Sequence, residues 1–276
     1  MKRTWFITGV SSGFGNEMTK QLLAKGDTVI GTVRSTKKVE ALMKQYPDTF
    51  DVMMLDMTDI PAVHDAVRMA FGKHETIDVV VSNAGYGLFG CAEELPEKEI
   101  NKILATNLQG PIMLIRDVIP YLRRQGGGRI IQLSSYGGQV AYAANSLYHA
   151  TKFSIEGFCE SVAQEVAQFH IGVTIVEPGG ARTEFRYGSA RVTPNLMPVY
   201  KEQHGFLKML DPANGLAPGD PAKMAARMIE SVDRNPAPLR MVLGSQALRA
   251  TIERLEERVA DYRTQKDLAA STDIVE

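Results

Sequence analysis

The chain has 276 residues, 44% of them hydrophobic, which is enough to bury a sizeable core in one large α/β domain or two small ones. Its 31 Lys and Arg against 32 Asp and Glu leave a formal net charge of -1, which gives no field favouring nucleic acid or an acidic membrane as a partner. The two cysteines, Cys91 and Cys159, form no CxxC pair, and no run approaches the roughly 18 uncharged apolar residues of a membrane span, so we expect a soluble, cytoplasmic protein.

Short apolar runs alternate with helix-length segments along the chain. Strands are predicted over residues 5–8, 28–33, 50–55, 79–82, 129–134, 173–176 and 239–243. Helices are predicted over residues 14–25, 37–46, 60–71, 96–124 and 146–169. The first six strands are apolar on both faces, as parallel strands covered by helices must be. The alternation predicts one domain over residues 1–276, a Rossmann-type, doubly wound α/β fold with a seven-stranded, mostly parallel sheet and helices on both faces.

Two segments depart from this alternation. Residues 184–220 follow the sixth strand and carry four prolines around one short helical pattern, which predicts a lid over the substrate. Near the end of the chain, residues 246–263 have a helical pattern that is charged on one face. Its other face is apolar, at Leu248, Ile252, Leu255 and Val259. We expect this helix to pack on the body of the protein or on a partner subunit.

A glycine-rich turn follows the first predicted strand and opens the first predicted helix. Its sequence is Thr8-Gly9-Val10-Ser11-Ser12-Gly13-Phe14-Gly15. Glycines at this place allow a tight turn and a close approach of the backbone to a pyrophosphate held at the helix N-terminus. The spacing departs from the usual G-x-G-x-x-G, and a plain turn is the alternative. The flanking strand and helix favour a dinucleotide site.

The end of the second predicted strand indicates which dinucleotide is preferred. An acidic residue at this point would hold a ribose 2′-hydroxyl. The strand instead ends in Val33 and is followed by Arg34, with Lys37 and Lys38 close behind. A guanidinium pairs well with a 2′-phosphate, and the hydroxyl of Ser12 supports the same choice. A solvated loop charge is the alternative interpretation of Arg34, but the pattern favours NADP(H) over NAD(H).

A tyrosine and a lysine four residues apart form the clearest chemical signal in the chain. Tyr148 and Lys152 lie on one face of a predicted helix, so the ammonium can sit beneath the phenol. A nearby cation lowers the pKa of a tyrosine from its usual ~10, toward a pH at which the phenol can give and take a proton. Ser135 precedes Tyr148 by thirteen residues, a spacing that favours it over its neighbour Ser134. If the register is off by one residue, the second hydroxyl would only form a hydrogen bond at the end of the sheet.

These residues resemble those of the classical short-chain dehydrogenases/reductases over roughly residues 4–243. The matching motifs, in chain order, are Thr8-Gly9-x-x-x-Gly13-x-Gly15, Ser82-Asn83-Ala84-Gly85, Asn107, Ser135, Tyr148-x-x-x-Lys152 and Pro178-Gly179 with Thr183. The family's N-N-A-G segment has serine in its first place here. Arg34 resembles the mark of the NADP-preferring subgroup.

The resemblance implies the roles of individual residues. Its catalytic residues would be Asn107, Ser135, Tyr148 and Lys152. Its cofactor-binding residues would be Gly9, Ser11, Ser12, Gly13, Phe14, Gly15, Arg34, Asp56, Met57, Asn83, Ala84, Gly85, Tyr148, Lys152, Pro178, Gly179 and Thr183. Asp56 would contact the adenine, Lys152 the nicotinamide ribose, and Asn107 a water that relays protons. The helices over residues 96–124 and 146–169 resemble those that pair in the family's dimers and tetramers, so we expect a homodimer or homotetramer.

The reaction we expect is hydride transfer between NADP(H) and a small-molecule ketone, aldehyde or alcohol, with Tyr148 as general acid and base and Ser135 polarising the carbonyl. Apolar residues near the site favour a bulky or aromatic substrate. They are Leu88, Phe89, Tyr142, Phe185, Tyr187, Leu196, Met197, Phe206 and Leu207. The five histidines show no metal-ligand spacing, and we predict no metal.

Two other functions remain open at this point. One is a non-catalytic NADP-binding regulator that senses the cofactor ratio; such proteins usually lose the tyrosine or the lysine, and both are present. The other is an epimerase or dehydratase that keeps its cofactor bound. Those relatives usually carry a larger C-terminal substrate domain, whereas this chain has only the lid-like segment and a terminal helix.

Overall fold

The computed structural model describes residues 2–210 and 217–274, except for the side chains of Arg186, Tyr187, Phe206, Lys208 and Met209. Its strands are β1 Thr4–Thr8, β2 Thr28–Val33, β3 Phe50–Met54, β4 Val79–Ser82, β5 Gly87–Phe89, β6 Gly128–Leu133, β7 Ile171–Pro178, β8 Ala190–Val192 and β9 Arg240–Leu243. Its α-helices are α1 Gly13–Ala24, α2 Glu40–Gln45, α3 Ile60–Lys73, α4 Glu97–Leu104, α5 Gly110–Arg124, α6 Ser146–Val166, α7 Pro221–Glu230, α8 Ser245–Thr264 and α9 Lys266–Ala270.

Seven strands form the central sheet in the order β3-β2-β1-β4-β6-β7-β9. Each neighbouring pair is parallel. The predicted seven-stranded, doubly wound fold is therefore confirmed, with strand ends that differ from the prediction by one or two residues. The chain reverses its direction of winding between β1 and β4, and a crevice opens at this point beyond the carboxyl ends of the strands.

Two apolar cores cover the two faces of the sheet. Alternate residues of a strand point to opposite faces. Phe6 of β1 accordingly joins one core with residues of α3, α5 and α6. Its neighbours Trp5 and Ile7 join the other core, with residues of α1 and α7. Because both faces are covered, the strands need apolar residues throughout, as the sequence has.

The long helix predicted over residues 96–124 is interrupted in the structure. Between α4 and α5 the chain makes a π-helical turn, Ala105–Gln109. Pro111 has no N–H to donate to the carbonyl of Asn107 four residues earlier, so the regular α-helical pattern cannot continue there. Gly110 is also packed so closely that a Cβ would lie 2.4 Å from the carbonyl oxygen of Met57. Single π-helical turns of this kind are frequent at functional sites.

Helix α7, which begins directly after the segment predicted as a lid, was not predicted from the sequence. Asp220 caps the helix by accepting from the N–H groups of Ala222 and Lys223 at 2.9 and 3.1 Å. Proline directly after such a cap favours a helix start. Met224 and Met228 are buried in the core that α7 shares with α1.

The segment predicted as a lid contains regular structure over part of its length. Strand β8 pairs in parallel with β5 in a small second sheet, which was not predicted. A π-helical turn, Phe185–Ser189, precedes β8, and 3-10 turns over Pro198–Tyr200 and Gln203–Leu210 follow it. Residues 211–216 of the predicted lid lie outside the described residues. Within the described parts of the chain, no helix has the length and apolar character needed to cross a membrane.

Candidate active site

A cleft of about 410 Å³ opens at the carboxyl ends of the central strands. Its walls come from the glycine turn after β1, the ends of β2, β4 and β6, the start of α6, and the segment after β7. Among the predicted site residues, it is lined by Gly9, Ser11, Ser12, Gly13, Phe14, Arg34, Asp56, Met57, Asn83, Ala84, Gly85, Ser135, Tyr148, Lys152, Pro178, Gly179 and Thr183. Gly15 and Asn107 lie behind this lining.

The glycine turn is held in place by the segment after β4. The side-chain amide of Asn83 donates to the carbonyl oxygens of Thr8 and Gly9 at 2.8 and 3.1 Å. Gly9 has a φ of +74° and Gly13 a φ of +58°, a backbone conformation that glycine adopts without strain. At Gly15 a Cβ would lie 2.4 Å from the carbonyl oxygen of Gly9, so α1 can begin this close to β1 only with glycine there.

The N-terminus of α1 faces the cleft with free donors. Its N-cap residue, Ser12, makes no side-chain hydrogen bond to the helix, and its first turn has no acidic residue. The first N–H groups of a helix have no partner within it and attract anions. The donor chemistry of this turn therefore fits the pyrophosphate of a dinucleotide.

The side of the cleft at the end of β2 is basic. Val33 is buried, and Arg34 follows it as an exposed side chain on the cleft wall. Lys38 lies 3.8 Å from Glu184 of the lid segment. Asp56, which follows the neighbouring strand β3, accepts from the N–H and the hydroxyl of Thr58, both at 2.9 Å. Partial burial works against the carboxylate, but the bonds from Thr58 and the nearby Arg34 hold the pKa of Asp56 below its usual value.

The two adjacent serines at the end of β6 have different partners. The hydroxyl of Ser134 donates to Oε1 of Glu156 at 2.5 Å, away from the reacting groups. The oxygen of Ser135 accepts from the N–H of Gly137 at 3.0 Å, and Ser135 is also hydrogen-bonded to the phenol of Tyr148. Ser135, and not Ser134, is therefore paired with Tyr148.

The phenol of Tyr148 is a weak acid in this environment. Its ring packs 5.9 Å from the ring of Phe89 and 5.7 Å from that of Phe185, measured between centroids. Burial raises the pKa of Tyr148 to about 12; the hydrogen bond with Ser135 lowers it and the charge of Glu156 raises it. The expectation that Lys152 brings this pKa down is wrong, because desolvation of the phenolate dominates. Tyr148 therefore keeps its proton at neutral pH.

Lys152 is buried beneath Tyr148. Its ammonium donates to the carbonyl oxygen of Leu133 at 2.9 Å and lies 5.7 Å from the centroid of the Tyr148 ring. Burial lowers the pKa of Lys152 to about 8, and the charge of Glu156 works in the opposite direction. The lysine can therefore gain or lose a proton close to physiological pH.

Asn107 connects the π-helical turn to the floor of the site. It is buried, and its side chain accepts from the N–H of Tyr86 at 3.1 Å and donates to the carbonyl oxygen of the same residue at 2.8 Å. Its amide also lies 3.5 Å from the hydroxyl of Thr151, next to Lys152. Asn107 thus fixes the segment after β4 against α6.

A cluster of buried charges lies behind Lys152 on α6. Glu156 and Glu177 are both almost fully buried, and both accept from the guanidinium of Arg240 on β9. Glu160 accepts from the same guanidinium at 2.8 Å. Burial and the charge of Glu156 raise the pKa of Glu177. Burial opposes the charge of Arg240, but its three carboxylate partners raise the pKa of that guanidinium.

His149 has a positioning role that the sequence did not indicate. In the structure its Nδ1 lies 2.7 Å from the carbonyl oxygen of Gly137 and its Nε2 accepts from the N–H of Tyr142 at 3.0 Å. Burial lowers the pKa of His149. The neutral imidazole therefore joins both ends of the loop that follows Ser135.

The lid segment is attached to the body through Glu94, which the sequence also did not indicate. The buried carboxylate accepts from the N–H groups of Cys91 and Met197 at 2.7 and 2.6 Å. It also contacts Nε2 of His204 at 2.9 Å, and its main-chain carbonyl accepts from the hydroxyl of Thr193 at 2.7 Å. Cys91, Glu94 and His204 could together ligate a metal, with ligand atoms within 4.8 Å of one another. Because N–H donors already satisfy the carboxylate, we interpret this cluster as a structural attachment of the segment predicted as a lid.

The predicted substrate pocket is only partly correct. Phe89, Tyr142 and Phe185 line the cleft. Leu88 is buried in a small core with Leu95 and Ile103, while Leu196 and Met197 are exposed and Leu207 is not part of the cleft wall. An apolar residue type near the site does not by itself show where the side chain points. The side chains of Tyr187 and Phe206 lie outside the described residues.

Comparison with known proteins shows the family. Residues 3–191 match the sequence model described as short chain dehydrogenase. The chain therefore belongs to the short-chain dehydrogenases, a family of oxidoreductases that bind a nicotinamide cofactor.

Individual relatives extend this match to nearly the whole chain. "Oxidoreductase BOA17" of Botryotinia fuckeliana is 34% identical over 250 residues, which cover 90% of this chain and 91% of the relative. Human "Retinol dehydrogenase 8" is 36% identical over 190 residues, 66% of this chain and 60% of the relative. The crystal structure of a short-chain dehydrogenase from Streptomyces avermitilis superposes with a TM-score of 0.93 at 36% identity, covering 99% of this chain and 100% of that one.

Proposed function

We propose that this protein is an NADP(H)-dependent oxidoreductase that interconverts a ketone or aldehyde and the corresponding alcohol. The observation that carries the proposal is the meeting of Ser135, Tyr148 and Lys152 in the cleft that also contains the glycine turn. Neither the regulator nor the epimerase is favoured by any contact in this cleft.

The chain's own residues would donate the proton and stabilise the negative charge that develops on the carbonyl oxygen. When bound, the dinucleotide supplies or accepts the hydride. Tyr148 donates its phenol proton to the carbonyl oxygen, and Ser135, whose oxygen accepts from Gly137, would turn its hydroxyl hydrogen from the phenol to the same carbonyl oxygen. One such donor typically contributes ~2.7–4 kcal/mol to the stability of a developing oxyanion. Because the pKa of Tyr148 is raised to about 12, the phenol is in the protonated form that carbonyl reduction needs.

Lys152 and Asn107 would complete the proton path. Lys152 would hold the ribose next to the nicotinamide and return a proton to Tyr148, which its pKa of about 8 allows. Both side-chain polar atoms of Asn107 are occupied by Tyr86, but Pro111 cannot bond its main-chain carbonyl. That carbonyl is the atom we assign to the relay water.

NADP(H) is proposed over NAD(H) because of the charge at the end of β2. Val33 offers no carboxylate to a ribose hydroxyl, and the Arg34 guanidinium is exposed on the cleft wall, where a 2′-phosphate could pair with it.

For the substrate we propose a bulky, largely apolar carbonyl compound or alcohol. Phe89, Tyr142 and Phe185 give the cleft an aromatic wall beside Tyr148. The name of the human relative, a retinol dehydrogenase, is consistent with a substrate of this type.

The test is the oxidation of NADPH and NADH by the purified protein with a panel of ketones, aldehydes, quinones and steroids. We expect one class to consume NADPH, and the variant Tyr148→Phe to lose turnover while it still binds NADPH. Tyr121→Phe is the matched control, since Tyr121 stacks on Phe71, outside the cleft. Normal kcat in Tyr148→Phe would overturn the assignment of the acid.

A further inference from the structure

The described part of the body covers the apolar face of α8 only in part. From the sequence, this face was expected to pack either on the body or on a partner subunit. Leu248 and Ile252 are each 46% exposed, Leu255 is 38% exposed and Val259 is 45% exposed. Tyr262, 64% exposed, continues the same row. We call these five residues the α8 stripe. Of the two expected packing modes, the exposure that the described residues leave on this face favours the partner.

Helix α8 is attached to the body by a different face. Ala247 and Thr251 are buried. Arg258 donates to the carbonyl oxygen of Gln139 at 3.1 Å and lies over the ring of Phe153. These three positions are four and seven residues apart and lie on one side of the helix. The α8 stripe lies about a quarter turn around the helix from these positions, so it faces sideways along the surface of the body.

The end of α8 extends beyond the body. Each residue from 259 to 274 is exposed. Most of the stability of a helix in a protein comes from packing of an amphipathic face, and a short isolated helix is marginal in water. The exposed end of α8 therefore lacks the packing that would stabilise it in a monomer.

The spacing of the α8 stripe is that of a helix pair. Its residues follow one another at intervals of four, three, four and three. This is the heptad spacing at which two helices interlock their side chains along a seam. A helix that merely covers a globular core usually has a wider apolar face.

The charge of α8 favours another protein surface over a lipid surface. Its four arginines, at 249, 254, 258 and 263, are balanced by four acidic residues, at 253, 256, 257 and 261. Helices that bind anionic membranes carry an excess of Lys and Arg on the polar face. Helix α8 has no such excess.

We propose that the α8 stripe pairs with the same stripe of a second copy of this chain, with the two helices antiparallel. In one register Leu248 packs against the partner's Val259, and Ile252 against the partner's Leu255, each contact occurring twice by symmetry. The same register places Arg249 beside the partner's Glu256 on the solvent side of the seam. Shifting the register by one heptad would instead bring Arg249 toward the partner's Arg263 and place the two Glu256 side chains together. Charge complementarity therefore selects the first register.

The test measures the mass of the full-length protein in solution by light scattering. In the variant Ile252→Glu with Leu255→Glu, we expect the mass to halve. If the wild type is a dimer through α8, the variant should be a monomer. If the wild type is a tetramer that also pairs through α5 and α6, which resemble the helices that pair in the family's dimers, the variant should be a dimer, because that second contact is unchanged. Met69→Glu, at a 55% exposed position on α3, is the matched control. Circular dichroism checks that each variant is folded.

A charge exchange tests the register. Arg249→Glu alone and Glu256→Arg alone should each shift the association equilibrium toward the smaller species, because each places like charges together. The double variant should restore the wild-type mass. Loss of association in the Ile252/Leu255 variant without rescue by the double exchange would overturn the antiparallel register.

Other outcomes would overturn the proposal as a whole. They are a wild-type protein at the 30.3 kDa monomer mass, an Ile252/Leu255 variant of unchanged mass, or wild-type monomers that co-sediment through α8 with phosphatidylserine vesicles. None of these measurements depends on catalysis, so the interface can fail while the proposed activity holds.

Discussion

At the scale of single residues, the charge on Lys152 depends on a carboxylate that never reaches the cleft. Glu156 follows Lys152 by one helical turn and is buried with it. The two residues also contact successive positions of β6: Lys152 donates to the carbonyl of Leu133, and Glu156 accepts from the hydroxyl of Ser134. Removing the negative charge of Glu156 should therefore make the ammonium of Lys152 easier to deprotonate.

The variant Glu156→Gln tests this dependence through a pH profile. For carbonyl reduction, kcat/KM of the wild type should fall as pH rises past about 8, where Lys152 loses its proton. Since Glu156 raises the pKa of Lys152, the fall in Glu156→Gln should begin at lower pH. Glu160→Gln, which removes a more exposed partner of the same Arg240, should leave the profile in place. An unmoved alkaline limb in Glu156→Gln would show that Glu156 is only structural.

Arg34 is predicted to decide between the two dinucleotides. In Arg34→Glu, kcat/KM with NADPH should fall roughly tenfold to a hundredfold, since a hydrogen bond to a charged group contributes about 1.5–3 kcal/mol. The value with NADH should change little, because NADH has no 2′-phosphate. Steady-state kinetics with both cofactors measures the ratio. Arg68→Glu, an exposed arginine on α3, serves as the control. An equal loss with both cofactors would contradict the assignment.

At the scale of elements, the lid segment is attached to the body by one buried carboxylate. Glu94 accepts N–H bonds from both the body and the lid segment, at Cys91 and Met197. Burial opposes its charge, but these donors and His204 hold the pKa of Glu94 below its usual value. Its contribution to stability is therefore present above the usual carboxyl pKa and is lost as pH falls through the lowered value.

Replacing Glu94 by Gln should loosen the lid. A glutamine side chain places two N–H donors where the native carboxylate accepts, so at least one main-chain N–H loses its partner at a cost of about 1–3 kcal/mol. Faster cleavage within residues 193–204 in limited proteolysis, and a higher KM for the carbonyl substrate, are expected. Glu97→Gln, at an exposed position on α4, should change neither. Native resistance to proteolysis in Glu94→Gln would show that other contacts hold the lid.

At the scale of the whole molecule, the apolar patterns of the sequence were sufficient to predict the central sheet. The central strands are apolar on both faces because both faces are covered, and short-range patterns detect that. Strands β5 and β8 have three residues each, too few for a pattern, and they pair across about a hundred residues of chain. Long-range pairing of this kind leaves no local signal.

The candidate site also has a part that the sequence predicts and a part that it does not. The glycine turn, Ser135, Tyr148 and Lys152 have fixed spacings along the chain, and the structure brings them to one cleft. The Glu94–His204 contact joins residues 110 positions apart, and Arg240 reaches Glu156 across 84. The sequence also could not predict that the pKa of Tyr148 is raised. Burial decides the direction of this shift, and burial is a property of the folded chain.

The position of Arg240 has a consequence for the order in which the molecule is completed. Strand β9 is the last of the central strands along the chain and pairs with β7 at the edge of the sheet. During synthesis, the glycine turn, Ser135 and Lys152 all leave the ribosome before Arg240 does. Until β9 docks, the buried carboxylates of Glu156 and Glu177 behind Lys152 lack the guanidinium with which both of them pair. The charged surroundings of Lys152 are therefore complete only after the last strand has joined the sheet.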